Sequence, residues 1–167
     1  GNFSTLSGGQ NNAAAGTGSF VGGGVLNSAL GSFSTVPGGS SNEAAAPFSF
    51  AAGEDAVVAP LHSGAFLYSD SSGTEFDSAA ADEFAVRASG GFRFRTNAAL
   101  TTGCDLSAGS GTFSCTSDRN TKQDFEAIDG EEVLSKLESI PVTSWTFKTD
   151  PTGARHVGPM AQDFHAA

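Results

Sequence analysis

Positive charge is almost absent from the first half of this chain. The 167 residues contain 8 Lys and Arg against 18 Asp and Glu, and no Lys or Arg precedes Arg87. The formal net charge of −10 argues against a nucleic-acid-binding protein, because such proteins use cationic side chains to contact phosphates. Among residues 1–60 only Glu43, Glu54 and Asp55 are charged, so the surface of this part must consist mainly of hydroxyl, amide and small apolar groups.

Cysteine is scarce, and long apolar runs are missing. Cys104 and Cys115 are the 2 cysteines, which are too few for a disulfide-rich scaffold or a zinc site. Outside the cell two cysteines can close a loop, and the sequence leaves open whether they are bridged or free. No apolar run is long enough to cross a membrane and no signal peptide is recognisable, so we expect no membrane insertion and find no targeting information.

A repeat of fifteen residues occupies the N-terminal part. Segments that begin at Gly1, Gly16 and Gly31 align with one another, and residues 46–53 form a degenerate fourth copy. Three columns of the alignment are chemically consistent, one of serine, one of aliphatic residues and one of asparagine: Ser4, Ser19, Ser34 and Ser49; Leu6, Val21, Val36 and Ala51; Asn12, Asn27 and Asn42. Consistent columns at a fixed period indicate stacked coils.

Each repeat predicts one coil of a β-solenoid or β-roll. A glycine pair and an asparagine in each copy mark two turns, since both residues tolerate positive φ, and the runs between them fit strands of about five residues. Four such coils would stand roughly 20 Å tall. Because one coil offers too few large apolar residues to offset the conformational entropy of about fifteen ordered residues, we expect three chains to pack around an axis. A flexible glycine–serine linker is the alternative, but it does not explain the regular Phe, Val and Leu columns.

Two other repeat chemistries do not fit. Calcium-binding repeats need an aspartate in each coil, and none recurs. An ice-binding face needs regular ranks of threonine, whereas Thr5 and Thr35 alternate with Phe20 and Phe50. The pattern is similar to the β-roll heads of trimeric autotransporter adhesins, although those heads usually have a slightly shorter repeat.

Residues 61–116 contain strand-like runs at 65–68, 84–88 and 92–96. In the last run two phenylalanines alternate with two arginines, so the two kinds of side chain face opposite ways. The Ser-Gly-Gly sequence at residues 89–91 predicts a hairpin turn between the second and third runs. We interpret this part as a β-rich neck that is trimeric like the repeats.

Ser117 and Lys122 lie at a break in composition, since five of the eight Lys and Arg follow residue 116. A serine hydroxyl needs a base to act as a nucleophile at neutral pH, and a lysine supplies one only where burial leaves its amine neutral. An exposed Ser-Asp followed by Lys is more often a helix cap or a solvated loop, so the pair alone is a weak signal.

The residues after this pair predict a helix, a strand and a turn. The helix covers residues 129–140, opens with acidic residues and ends at Pro141. Residues 142–148, which include Trp145, predict the strand, and residues 150–153 predict the turn. The apolar side chains at helical spacing are Val133, Leu134, Leu137 and Ile140.

These features together resemble the endosialidase-type intramolecular chaperone domain of phage tail fibres and tailspikes. The resemblance rests on Ser117, Lys122, the leucine helix, the tryptophan strand and the sequence His-Val-Gly-Pro-Met-Ala-Gln-Asp-Phe at residues 156–164. It implies a domain that assembles as a trimer, guides the folding of the fibre in front of it, and is released when each chain cuts itself just before the serine.

The resemblance also implies roles for individual residues. The scissile bond would join Thr116 to Ser117, with Ser117 as nucleophile and Lys122 as general base of an acyl transfer followed by hydrolysis. His156 is a secondary candidate, and a structural histidine bonded to the backbone is the alternative reading. The chain would then be at most a single-turnover serine endopeptidase with no external substrate, and we expect no cofactor and no metal.

We therefore predict a mainly β homotrimer in three parts. Residues 1–60 form β-roll or β-solenoid repeats, residues 61–116 a β-rich neck, and residues 117–167 a small α+β chaperone domain. Members of the family usually continue into a long helical tail, whereas this sequence ends at Ala167, so residues 117–167 correspond to the N-terminal half of that domain.

Two functions fit this organisation. The preferred one is a structural part of a homotrimeric phage tail fibre, located in the virion, with a host-cell surface glycan or receptor as the expected external partner. The alternative is an adhesive filament on the bacterial surface or secreted from the cell, carrying the same chaperone. An enzyme acting on an external polysaccharide finds no support, because residues 1–116 contain no carboxylate pair in a recognisable setting.

Overall fold

The computed structural model describes residues 1–167 apart from the side chain of Thr121. The chain separates into two compact units, Gly1–Thr116 and Ser117–Ala167. This boundary coincides with the break in composition that precedes Ser117.

In the described part of the chain, the first unit begins with a β-solenoid of about six coils. This architecture confirms the predicted mainly β fold class. Each of the first five coils places a short strand in each of two parallel sheets, and the last coil adds a strand to the first sheet. The first sheet contains β1 (Thr5–Leu6), β3 (Phe20–Val21), β5 (Thr35–Val36), β8 (Phe50–Glu54), β10 (Phe66–Ser69) and β12 (Phe84–Arg87), with β6 (Gly39–Ser40) beside β8. The second sheet contains β2 (Ala13–Ala14), β4 (Ser28–Ala29), β7 (Glu43–Ala44), β9 (Ala56–Val58) and β11 (Phe76–Asp77).

The strand register confirms the period of fifteen residues. Thr5 pairs with Phe20, Phe20 with Thr35, and Thr35 with Phe50. The same column then continues through Phe66 and Phe84, so the parallel stack extends beyond residue 60 to the end of β12. Parallel pairing therefore continues past residue 60, where the repeats were predicted to end. The last coils are longer than fifteen residues, so the regular period does not reveal them.

The core between the two sheets is thin and consists of small side chains. Leu67 is the largest side chain that is fully buried in it. Buried serines lie beside this apolar column. Ser34 Oγ donates to Gly31 O at 2.8 Å and Ser49 Oγ to Ala46 O at 2.6 Å, each within its own coil, whereas Ser19 Oγ is buried without a hydrogen-bond partner among the described residues. The other fully buried apolar residues include Val21, Val36, Val58, Ala29, Ala44 and Ala51.

The asparagine column forms a ladder along the solenoid. Asn27 N donates to Asn12 Oδ1 at 2.9 Å, and Asn42 N donates to Asn27 Oδ1 at 3.0 Å. Each side-chain amide also donates to backbone carbonyls; for Asn27 these are Gly23 O and Gly39 O, both at 2.9 Å.

The asparagine column marks a turn of each repeat, and the residue one place before each asparagine takes the positive φ. These residues are Asn11, Leu26 and Ser41. An asparagine that bonds to the coils on both sides is held by its side chain, and the turn leaves the positive φ to its neighbour.

An antiparallel sheet completes the first unit. It contains β13 (Gly91–Arg95), β14 (Gly103–Ser107) and β15 (Phe113–Cys115), in that order. The predicted hairpin between residues 84–88 and 92–96 is wrong, because β12 pairs in parallel with β10 while β13 pairs with β14. Alternation of side chains indicates a strand but does not identify its partner.

The second unit is a small α+β segment. A 3₁₀ turn (Arg119–Thr121) is followed by helix α1 (Gly130–Ser139), strands β16 (Thr143–Trp145) and β17 (His156–Gly158), and helix α2 (Ala161–Ala166). The predicted helix is confirmed, and Asp129 caps it by accepting a hydrogen bond from Glu131 N at 3.0 Å. The predicted strand is shorter than expected, since β16 pairs antiparallel with the three residues of β17. Within the described residues, no helix has both the length and the apolar character needed to cross a membrane.

Candidate functional site

Thr116 is the last residue of the first unit, and hydrogen bonds tie it to the start of β14. Its backbone N donates to Gly103 O at 2.9 Å, and Gly103 N donates to Thr116 Oγ1 at 3.2 Å. The hydroxyl of Thr116 also lies within hydrogen-bond distance of Gly103 O, at 3.1 Å, and of Thr101 O, at 3.4 Å. Both the backbone and the side chain therefore hold the residue that precedes the expected scissile bond.

The cysteines adjoin this residue and are bonded to each other. Cys104 and Cys115 form a disulfide and are directly opposite each other in β14 and β15. The sequence left both forms open, and the structure has the bridged form.

Ser117 and Lys122 are brought together by a short turn. Asp118 caps the 3₁₀ turn, because its carboxylate accepts from Asn120 N at 2.8 Å and from Asn120 Nδ2 at 3.0 Å. Lys122 N donates to Arg119 O at 3.1 Å and ends the turn. The result places Lys122 Nζ at 2.9 Å from Ser117 Oγ, within direct hydrogen-bond reach.

The surroundings of this pair differ from those of a lysine general base. Ser117 and Lys122 are both exposed to solvent in the single chain. Lys122 Nζ donates a hydrogen bond to Ser117 Oγ, whereas a general base must accept the proton of the serine. The geometry therefore suits a Ser–Lys dyad, but the described residues do not provide the burial that would activate the lysine.

His156 lies among aromatic rings rather than beside the serine and lysine. Its ring stacks on Trp145 with centroids 4.6 Å apart and meets the edge of Phe147 at 5.2 Å. These contacts favour a structural role for this histidine over the secondary catalytic role considered from the sequence.

Thr116 was expected from the resemblance and a Ser-Asp cap was considered from the sequence, but the contacts that Asp118 and Thr116 make were not predicted. Asp118 caps the 3₁₀ turn by accepting a hydrogen bond from Asn120 N. An Asp at the first position of a turn is a cap signal that a sequence can show. The hydrogen bonds of Thr116 depend on residues that are distant in sequence, so no local pattern could have indicated them. Among the described residues, no group of His, Cys, Asp and Glu is arranged to hold a metal ion.

Comparison with known proteins identifies one family over part of the chain. Residues 117–167 match the family described as chaperone of endosialidase. The match begins at Ser117, where the second compact unit also begins. No curated protein and no solved structure matches the chain.

Proposed function

We propose that residues 117–167 act as an intramolecular chaperone that drives the trimeric folding of a fibre segment formed by residues 1–116. The chaperone then leaves by cutting the bond between Thr116 and Ser117. The observation that carries the proposal is the position of the Ser117–Lys122 contact. It lies at the first residues of the family match and directly after the boundary between the two compact units.

The proposed reaction is a single acyl transfer followed by hydrolysis. Neutral Lys122 takes the proton of the Ser117 hydroxyl, and Ser117 Oγ attacks the carbonyl carbon of Thr116. The peptide C–N bond breaks, the amine of Ser117 takes up a proton, and Thr116 becomes an ester on Ser117 Oγ. One water then hydrolyses the ester, which leaves a carboxylate on Thr116 and restores the hydroxyl of Ser117.

Exposed apolar side chains support assembly with further copies of the chain. Leu134 is 55% exposed and Leu137 48% exposed, so the apolar side of α1 is not covered within the single chain. On the solenoid, Phe66 stacks between Phe50 and Phe84 with ring centroids 4.5 and 4.8 Å away, and Phe84 is 76% exposed. Packing of three copies would cover such surface, and burial near Lys122 would at the same time leave its amine neutral.

The chemistry of the solenoid supports a structural role for residues 1–116. Its surface is nearly free of charge over the first coils, and its stability comes from repeated backbone pairing and a buried ladder of asparagines. A disulfide is typical of proteins outside the reducing cytosol. We therefore propose a tail fibre of a phage virion, with a host-cell surface glycan or receptor as its external partner.

The alternative is an adhesive filament of a bacterial surface that carries the same chaperone. The uncharged repeats suit both settings equally. Neighbouring genes for tail proteins would favour the virion, and a secretion signal upstream of the first repeat would favour the bacterial filament.

The first test is the intact mass of the wild-type chain and of two variants after expression. We expect the wild type to yield a fragment that begins at Ser117, and Ser117→Ala to remain whole because the nucleophile is lost. Lys122→Arg should also remain whole, because arginine keeps a hydrogen-bond donor at this position but stays protonated and cannot act as a base. Removing a general base typically slows such a step by about 10²–10⁴-fold, so a residual fragment in Lys122→Arg would be small.

The variants also separate the two halves of the proposal. Normal cleavage of Ser117→Ala would end the assignment of the nucleophile. A wild-type chain that stays whole would remove the self-cleavage and leave residues 117–167 as a permanent trimerising cap.

A further inference from the structure

We propose that the Cys104–Cys115 disulfide and the hydrogen bonds of Thr116 form a clip on the last strand of the first unit. The clip holds the N-terminal side of the scissile bond in place before cleavage, and it retains the new chain end afterwards. The inference rests on the proposed cleavage between Thr116 and Ser117, and its tests are chosen so that the two can fail separately.

The strand that carries the scissile bond is poorly held by burial. β15 is only three residues long and lies at the edge of its sheet, where its pairing partner is β14. All three of its residues, Phe113, Ser114 and Cys115, are exposed. A short, exposed strand next to a chain end would be expected to fray unless something ties it down.

The disulfide supplies that restraint at the residue before Thr116. It links Cys115 to Cys104, which is directly opposite in the antiparallel register. A covalent link across the pair limits how far the end of β15 can separate from β14, whether or not the following peptide bond is intact.

The strand on the other side of the link is itself well anchored. β14 pairs with all five residues of β13. Arg95 and Asp105 form an ion pair between the two strands, with Arg95 Nη2 at 2.7 Å from Asp105 Oδ1. The disulfide therefore ties the short edge strand β15 to the central strand β14, which is also paired with β13.

The hydrogen bonds of Thr116 extend the restraint by one residue. Its backbone N donates to Gly103 O, and its hydroxyl accepts from Gly103 N. Gly103 precedes Cys104, so the bonds of Thr116 and the disulfide act on consecutive residues of both strands. Ser117 would attack the carbonyl of Thr116. Hydrogen bonds of both the backbone N and the hydroxyl of Thr116 hold this residue in place.

Hydrogen exchange on the 167-residue Ser117→Ala chain tests the clip without cleavage. The amide of Thr116 is followed with and without dithiothreitol, which converts the disulfide to two thiols. We expect exchange at Thr116 to be about tenfold faster or more after reduction, because the opening of the strand is no longer limited. The amide of Phe50, which donates to Ala65 O inside the solenoid, is the internal control and should not change.

A chain that lacks both cysteines removes the reductant from the comparison. Ser117→Ala combined with Cys104→Ser and Cys115→Ser should show fast exchange at Thr116 without dithiothreitol. Equal exchange at Thr116 in the oxidised, reduced and substituted proteins would overturn the clip, even if the wild type cleaves normally.

The positioning role is tested by the rate of self-cleavage. Thr116→Val loses the hydroxyl and should cleave more slowly, about tenfold for one or two lost hydrogen bonds, whereas Thr116→Ser should restore the rate. Thr112→Val is the matched control, because the contacts of Thr112 with Ser110 are made by its backbone. The trimer content by sedimentation should be the same in all three variants, so a slower rate cannot be assigned to lost assembly.

The outcomes of the rate experiment differ from those of the proposed function. Equal cleavage rates for Thr116→Val, Thr116→Ser and the wild type would overturn the positioning role. Absence of cleavage in the wild type would refute the self-cleavage itself, and the exchange experiment would still decide whether the clip exists.

Discussion

At the residue scale, the stability of the solenoid depends on polar side chains that are buried. Asn27 and Asn42 are completely inaccessible to solvent, and each is bonded to the coils on both sides. A buried amide costs free energy if its donors and acceptors are unpaired, so this column is stabilising only while every coil is in register. The asparagines thus fix the register of a stack whose apolar core is small.

Asn27→Ala should be among the most destabilising substitutions in the first unit. It leaves Gly23 O, Gly39 O and Asn42 N without the partner that the side chain provides. We expect a loss of about 3 kcal/mol in the free energy of unfolding, measured by urea denaturation. Asn12→Ala is the matched control at the half-buried end of the ladder and should cost about 1 kcal/mol. An equal, small effect of both substitutions would contradict the role of the ladder.

Asp70 should make the first unit sensitive to acid. Hydrogen bonds from Ser89, and then those from Ser72, hold the pKa of Asp70 well below its ordinary value of 3.8. The pKa of Asp70 is lower in the folded chain than in the unfolded chain, so ionised Asp70 stabilises the fold at any pH above the unfolded pKa. This stabilisation is lost as the pH falls from the unfolded pKa towards the folded pKa. Arg87, whose Nε lies 3.3 Å from Asp70 Oδ1, adds to the preference for the ionised form.

The pH dependence of unfolding checks this expectation. Asp70→Asn should be less stable than the wild type at neutral pH and should lose less stability between about pH 5 and pH 2. Parallel curves for the two proteins over this interval would show that Asp70 does not contribute.

The catalytic pair shows what the sequence could and could not predict at this scale. The contact between Ser117 and Lys122 was expected from the resemblance, and the structure has the two atoms at 2.9 Å. Their exposure could not be predicted, because burial depends on neighbours that a sequence pattern does not specify. Their roles in catalysis remain a prediction.

At the element scale, close approach of neighbouring coils explains the glycine pair in each repeat. Gly24 has φ of 86°, and a Cβ at this position would lie 2.1 Å from Gly39 O in the next coil. Gly23 also has positive φ, at 150°, but a Cβ there would have nothing within 4 Å. A side chain at Gly23 would therefore meet only an unfavourable φ, whereas a side chain at Gly24 would also collide with the backbone of the next coil.

Gly24→Ala should destabilise the solenoid much more than Gly23→Ala. Both pay for an unfavourable φ, at a cost of about 1–3 kcal/mol, but only Gly24→Ala pushes two coils apart. The free energies of unfolding of the two variants, compared by urea denaturation, check this difference. Equal destabilisation would mean that the coils are not in the close contact described.

The elements that could be predicted from the sequence are those with a regular pattern. Period and register followed from columns such as Thr5, Phe20, Thr35 and Phe50. The coils at Phe66 and Phe84 could not be predicted because their spacing is irregular. The predicted hairpin is wrong because alternation of side chains does not identify the partner of a strand. Helix α1 was predicted within one residue at each end because its cap and its terminating proline are local signals.

At the scale of the whole molecule, each unit leaves apolar surface that a single chain does not cover. Large exposed side chains occur on the solenoid, as at Phe48 and Phe84, and on α1, as at Leu134. The solenoid core is too thin to offset the entropy of ordering its coils by itself, which is the physical reason to expect association. Assembly would also supply the burial that the Ser117–Lys122 pair requires.

The mass of the 167-residue Ser117→Ala chain by sedimentation equilibrium is the most direct test of this account. The substitution keeps the chaperone attached and leaves the packing surfaces unchanged, so the account predicts a single species of about three times the 16.8 kDa chain mass, independent of concentration over the micromolar range. A stable, folded monomer of 16.8 kDa would contradict it, since neither the trimeric fibre nor the chaperone role would then have a basis.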